Sequence, residues 1–373
     1  IDATVLFTGI TSVCLLFEFV FKNKISIAKG GINNIFKILP FTIWVFISII
    51  YSSSESYVYT KAINFFLIFI TFSFTFLLIK NKRDLNIFMR FLVTAGLLTS
   101  LVILYLFYAG GLSLSLTYFR LLENGNPLGI PDYLALATPV LIAAVILIIN
   151  KNKILITLAI IPVFTLLLLS GRAPILSFIF VLSIYAFYNL KLSRRMIRRS
   201  ILLSLFLLFA FNSFTKINIF DRVISRFEII NDDNLISNQN ERVDLYEISY
   251  ESFLNKPFIG IGLGSFGLYH YEKDVRDHPH NMFLEVLVEQ GLIGLILMLF
   301  LFLPLLLRVL PKLLKSKNHI YFICGALFIC ESINVIKSSS IVENRAYFAI
   351  IGICFVAYFL INENKNLQII NEG

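Results

Sequence analysis

The chain has 373 residues, of which 58% are apolar and only 15% charged; 38 are phenylalanine, and the mean hydropathy is +0.83. Soluble proteins carry about 25% charged residues, so a soluble fold of this composition would lack the polar surface to cover itself, and soluble functions are excluded. The apolar residues form runs of about 18 to 25 residues, not alternating ten-residue segments, which indicates an all-α polytopic membrane protein and not a barrel. The net charge of +9 is a matter of membrane topology, not nucleic-acid binding.

In chain order, apolar stretches at 3–21, 38–53, 58–79, 87–108, 132–149, 153–170, 174–190, 200–214, 281–307, 318–338 and 344–361 predict about eleven transmembrane helices. Basic clusters occupy alternate connections: Lys22 to Lys37, Lys80/Lys82/Arg83, Lys151/Lys153, Lys191 to Arg199, Arg308 to Lys317, and Lys365. These connections face the cytoplasm. Residue 1 then lies outside, so a cytoplasmic start requires one more span upstream, giving twelve. The expected organisation is transmembrane helices over 1–214, a large external segment over 215–279, and three last helices with a cytoplasmic tail over 280–373.

Cys14, Cys324, Cys330 and Cys354 all fall inside apolar runs, where sulfur acts as a small hydrophobe and no disulfide framework or CxxC site is available. The outer side carries most of the carboxylates, three of the four histidines, and the only long polar segment, so an active site is expected to open outward. Within that segment, Val243, Leu245, Ile248 and Phe253 predict a short amphipathic helix over 241–254 on the membrane surface, ended by Pro257. Gly260, Gly262 and Gly264 form GIGLGSF, whose spacing is wrong for a nucleotide loop and whose better reading is a flexible loop with backbone N–H groups free for an anion.

His280 opens the next span; an imidazole at a membrane mouth can take a proton from a hydroxyl at neutral pH. His278 stands two residues away, but without Cys or HExxH the pair does not indicate a metal. Arg172, in SGRAPIL between two apolar runs, needs an anionic or polar partner or a route to the lipid phosphates. Lys61, Arg120, Arg242 and Arg345 are also near outer helix ends, and several such cations suit a pyrophosphate because guanidinium donors match phosphate oxygens. Glu331, followed by Asn334 and Lys337, is an intramembrane carboxylate for which function and helix pairing are equally open. Glu285 and Glu289 lie one turn apart after His280, with Glu285 on the face of Asn281.

PFIGIGLGSF over Pro257 to Phe266, then HPHNMFLEVLVEQGLIG with nine residues between Asn281 and Gly291, and Arg172 before Leu176, resemble the O-antigen ligase and polymerase family. The resemblance is carried over about 170–295, and Leu295 departs from the Gly, Thr or Tyr that often follows in ligases. It implies a GT-C-like, metal-independent, inverting glycosyltransferase without a cofactor, in the bacterial inner membrane with its active site facing the periplasm. The implied donor is an undecaprenyl-pyrophosphate-linked glycan. The acceptor is the lipid A core for a ligase in lipopolysaccharide biosynthesis, or a second lipid-linked repeat for a polymerase. On this reading His280 is the base, Arg172 and Arg242 stabilise the leaving pyrophosphate, and Lys61, Arg120, His278, Asn281 and Arg345 bind substrate. A polytopic transporter is the rival, disfavoured because the polar groups gather at the outer ends and the halves show no repeat.

Overall fold

The computed structural model describes residues 28, 30–109, 112–114, 119–123, 126–129, 133–150, 152–169, 172–189, 233–338 and 340–372. The expected spans 3–21 and 200–214, Cys14, and the cluster Lys191 to Arg199 lie outside these residues. The described chain forms two compact units, 1–88 with 238–373 and 89–237. Five described helices are long and apolar enough to cross a membrane and four shorter ones are apolar, so this is a multi-pass helical membrane protein. Helices are imposed by the solvent: in lipid every backbone polar group must be satisfied within the segment.

The first unit begins with α1 (Gly31–Ile47), joined by the serine-rich turn at 52–56 to α2 (Tyr57–Leu78). α1 starts earlier than hydropathy suggests because Lys37 is inside the helix. Its ammonium donates to Asn34 Oδ1 at 2.6 Å and lies over the Phe355 ring at 4.8 Å, so the stem is tolerated among apolar neighbours. α3 (Lys82–Tyr108) follows, started by the Asn81 side chain, which accepts from the backbone N–H groups of Arg83 and Asp84.

The second unit takes up most of α3, then α4 (Tyr133–Ile149), α5 (Lys153–Leu158), α6 (Ile160–Leu169) and α7 (Arg172–Asn189). A methyl at Gly96 would sit 2.2 Å from the Pro139 carbonyl oxygen, so α3 and α4 approach through a small residue as membrane helices do. The fold is helical as expected, with one local addition at 112–129. Strands β1 (Leu112–Leu114), β2 (Phe119–Glu123) and β3 (Asn126–Gly129) form a small antiparallel sheet in order β1-β2-β3. This polar-rich connection lies between spans, where hairpin pairing can satisfy the backbone in place of helix bonds.

The first unit resumes with α8 (Asp233–Asn255, from 238), α9 (Phe266–Tyr271) and α10 (Met282–Pro304). A π-helical turn at Leu305–Val309, which starts directly after Pro304, leads into α11 (Leu310–Leu314). α12 (His319–Ser338) and α13 (Arg345–Glu372) complete it, joined by a 3₁₀ turn at Ile341–Glu343. Glu331 and Asn334 are buried on α12, where Ser332 bonds the Tyr347 hydroxyl of α13 at 3.0 Å.

Candidate functional site

α10 is not the single span that its hydropathy indicates. At Gly291 the backbone takes φ 67, ψ −169, a region open only to glycine. The rings of Phe283 and Phe302 are 5.5 Å apart, whereas 19 residues of straight helix would separate them by about 28 Å. The helix therefore doubles back at Gly291 into an inner arm, 282–290, and an outer arm, 292–304. A methyl at Gly294 would lie 2.2 Å from Gln290 Cβ, so both glycines of GLIG serve the reversal.

Such a break orphans backbone groups, and the glycine-rich loop satisfies them. Val288 and Glu289 carbonyls accept from the N–H of Ile261 and Gly262, each at 3.0 Å, while Leu292 and Ile293 N–H donate to the carbonyls of Pro257 and Phe258 at 2.9 and 3.1 Å. Trp44 Nε1 donates to the Gln290 carbonyl at 3.0 Å. Four helix bonds are thus replaced by four loop bonds, and the loop must come close enough that only glycines fit. Methyls at Gly260 and Gly262 would stand 2.4 Å from the Glu289 backbone and 2.5 Å from Ser52 Cα. The N–H groups of Gly260, Ile261 and Gly262 are spent on protein carbonyls, which corrects the expectation of a loop offering them to an anion.

The inner arm carries the sequence's candidate base. Asn281 caps it, its side-chain oxygen accepting from Phe283 and Leu284 N–H at 3.0 and 3.2 Å. His280, immediately before the cap, has φ 53, a left-handed conformation uncommon for a residue with a Cβ. The His278 and His280 rings meet edge to face at 4.5 Å, both half-buried, and His278 Nε2 is buried without a hydrogen-bond partner among the described residues.

Further along the arm, Glu285 and Glu289 meet Lys61 of α2. The ammonium is 2.5 Å from Glu285 Oε1 and 2.7 Å from Glu289 Oε1, and all three side chains are at most 2% exposed. Glu285 also accepts from Ser340 Oγ at 2.8 Å and Ile341 N–H at 2.6 Å. Lys61 was expected among the substrate-binding cations; the structure buries it fully between these carboxylates. One turn along α2, Asn64 Oδ1 accepts from Arg345 Nη2 at 2.7 Å, so Arg345 is brought to the same corner.

The segment before His280 is pinned across this corner. Asp274 accepts from Ser54 Oγ at 2.6 Å, Ser56 N–H at 2.7 Å, Ser56 Oγ at 2.8 Å and Glu55 N–H at 3.0 Å. Desolvation pushes its carboxyl upward, but these donors together outweigh it and hold the pKa down to about 2. Asp277 bonds His270 at 2.7 Å, and Arg276 pairs with Glu343. Among the described residues, no group of three or more His, Cys, Asp or Glu is arranged to hold a metal ion.

Arg242 lies in α8 of the first unit, whereas Arg172 begins α7 and Arg120 lies in β2 of the second. The side chains of these three arginines are outside the described part. Glu285, Glu289, Ser340 and Asp274 were not among the expected site residues. The signal for the first two was present, since charges one turn apart in an apolar run call for a buried partner.

A search of curated proteins finds no match to the chain. Residues 154–299 match a family described as O-Antigen ligase, a stretch that includes α7, α8, the glycine-rich loop and the doubled-back arm. It is through this region that the chain is similar to the O-antigen ligase family.

Proposed function

We propose that the protein transfers a polyprenyl-pyrophosphate-linked glycan to a sugar hydroxyl on the periplasmic side of the bacterial inner membrane, as an O-antigen ligase acting on lipid A core. The observation that carries this reading is His280, held left-handed at the capped start of the inner arm, within the matched region. A strained residue of this kind, kept by its surroundings, is what a positioned catalytic group looks like.

In the reaction His280 removes the acceptor hydroxyl's proton as the oxygen attacks the anomeric carbon. The bond from that carbon to the pyrophosphate oxygen breaks, with inversion, and the electron pair leaves with the pyrophosphate. Arg172 and Arg242 stabilise the charge on the departing group. Asn281 and His278 border the acceptor, and Arg120 and Arg345 add cationic contacts for the donor. Lys61 serves the site through the inner arm it holds.

His280→Ala tests the reading. Loss of a positioned general base lowers the rate about 10²–10⁴-fold while the protein stays folded and inserted; retention of more than half of the activity removes His280 from the chemistry. The second reading is a polymerase that joins lipid-linked repeats, a choice left open by Leu295 where many ligases have Gly, Thr or Tyr. The lipopolysaccharide of a deletion strain separates the two. Loss of the whole ladder with accumulation of lipid-linked polymer means ligase, and a core bearing a single repeat means polymerase.

A further inference from the structure

The surface of α8 divides into three sectors. At 100° per residue, Leu245, Ser249 and Ser252 share the side buried against Ile261, Phe266 and Val288, with Ile248 and Phe253 at its borders. This corrects the expectation for Leu245, Ile248 and Phe253, whose side faces the protein, not the bilayer. Next around the helix come Tyr246, Tyr250 and Leu254, a stripe spaced i, i+4, i+8; Tyr250 is 62% exposed and Leu254 55%. Beyond it come the exposed Glu247, Glu251, Asp244 and Asn255. An ordinary amphipathic helix has two faces, one apolar and one polar. Three sectors mean three surroundings.

The same unit carries a second exposed apolar surface, on the apolar helix α1. Ile32, Phe36, Ile43 and Ile47 form the outward stripe of α1, which runs on to Ile50, 84% exposed. There Tyr51 Oη donates to the Ile259 carbonyl at 2.7 Å, and beside Ile259 lies Phe258, 66% exposed, at the end of the chain leaving α8. Leu254 and Tyr250 extend this band.

We propose that α8 lies at the line where protein, bilayer and water meet, with Tyr246, Tyr250, Leu254 and Phe258 docked into the outer-leaflet boundary between headgroups and acyl chains. The acidic sector faces water, and the Leu245 side closes onto the protein. Tyrosine suits this depth because its ring is apolar and its hydroxyl stays wet. An interfacial helix buries its apolar face about 5–10 Å into the headgroup region. The backbone of Arg242, one turn before Tyr246, is thereby carried to the level of lipid phosphates. The docking itself does not depend on glycan transfer.

Spin labels on the full chain in nanodiscs of phosphatidylethanolamine and phosphatidylglycerol test this, after Cys14, Cys324, Cys330 and Cys354 are replaced by alanine. Labels at Tyr250→Cys and Phe258→Cys should collide several-fold more with oxygen than with a water-soluble nickel chelate. A label at Glu247→Cys should show the reverse. Equal nickel access at 250 and 247 would mean that the stripe faces water, and exclusion of both reagents would mean that protein covers it. Oxygen access appearing only after lipid-linked donor is added would make the stripe a donor site and not a bilayer contact. Each of these three results overturns the proposal, and none bears on whether His280 is the base.

Discussion

Replacing Gly291 with alanine strikes the reversal of α10 with no change in hydropathy. An alanine at φ 67, ψ −169 carries about 1–3 kcal/mol of backbone strain. Its methyl would sit 2.3 Å from the Phe258 carbonyl oxygen and 2.6 Å from Gly260 N, both backbone atoms that cannot rotate away. The loop must withdraw, and each of the four bonds it makes to the break is worth about 0.5–1.5 kcal/mol. The sum is a loss of about 4 kcal/mol or more. Gly325→Ala is the control, because a methyl in that helix meets only leucine side chains at 3.2–3.4 Å. Thermal unfolding of the purified full chain in detergent should show a large drop for Gly291→Ala and a small one for Gly325→Ala. Gly294→Ala should lie between them and be partly rescued by Gln290→Gly, whose missing Cβ opens the space it needs. If Gly291→Ala were as stable as Gly325→Ala, the doubled-back geometry would be wrong.

Lys61→Met should destabilise the fold by about 3–5 kcal/mol by leaving two carboxylates buried without a cation, whereas the triple change with Glu285→Gln and Glu289→Gln should recover much of it; chemical denaturation reads both. The contribution of Asp274, whose folded pKa is depressed to about 2, is present above the ordinary carboxylate range near 4 and fades as pH falls toward 2. The protection of the Glu55 and Ser56 amides, measured against intrinsic exchange at each pH, should fall over that window in the wild type and be low at every pH in Asp274→Ala. Arg172→Ala should impair use of the lipid-linked donor, with Lys rescuing only in part because an ammonium lacks the bidentate fork. EDTA should leave purified activity unchanged; loss restored by Mg²⁺ or Mn²⁺ would overturn the arginine-based mechanism.

What the sequence made legible was what lipid imposes. Nine of the eleven expected apolar stretches coincide with described helices, because hydropathy reports the solvent directly. The motif from His280 to Gly294 was visible as spacing but not as shape. Nine residues after Asn281 give a capped helix of two and a half turns, yet nothing in hydropathy tells a straight span from one that reverses at a positive φ. The tripartite α8 was likewise hidden, since periodicity finds an apolar side and stops there, and Tyr246 and Tyr250 count as polar or apolar according to the scale. Lys61 was read as a cation awaiting an anion. Its partners were in the same chain, 224 and 228 positions away, at a separation that no local pattern connects.

The buried cluster also explains how an arm of nine residues can be held in register. Apolar packing alone gives a short membrane helix little positional restraint, because lipid tails are as apolar as leucine and release no water when displaced. Polar contacts in a site of low dielectric are stiff and directional by comparison. Here one carboxylate joins three elements: Glu285 on the arm, Lys61 on α2, and Ser340 with Ile341 on the turn before α13. Glu289, one turn on, repeats the tie to α2 beside the reversal. Two carboxylates against one ammonium leave the buried cluster one negative charge in excess when both are ionised. Such an excess would favour the imidazolium that the reaction proposed above forms on His280.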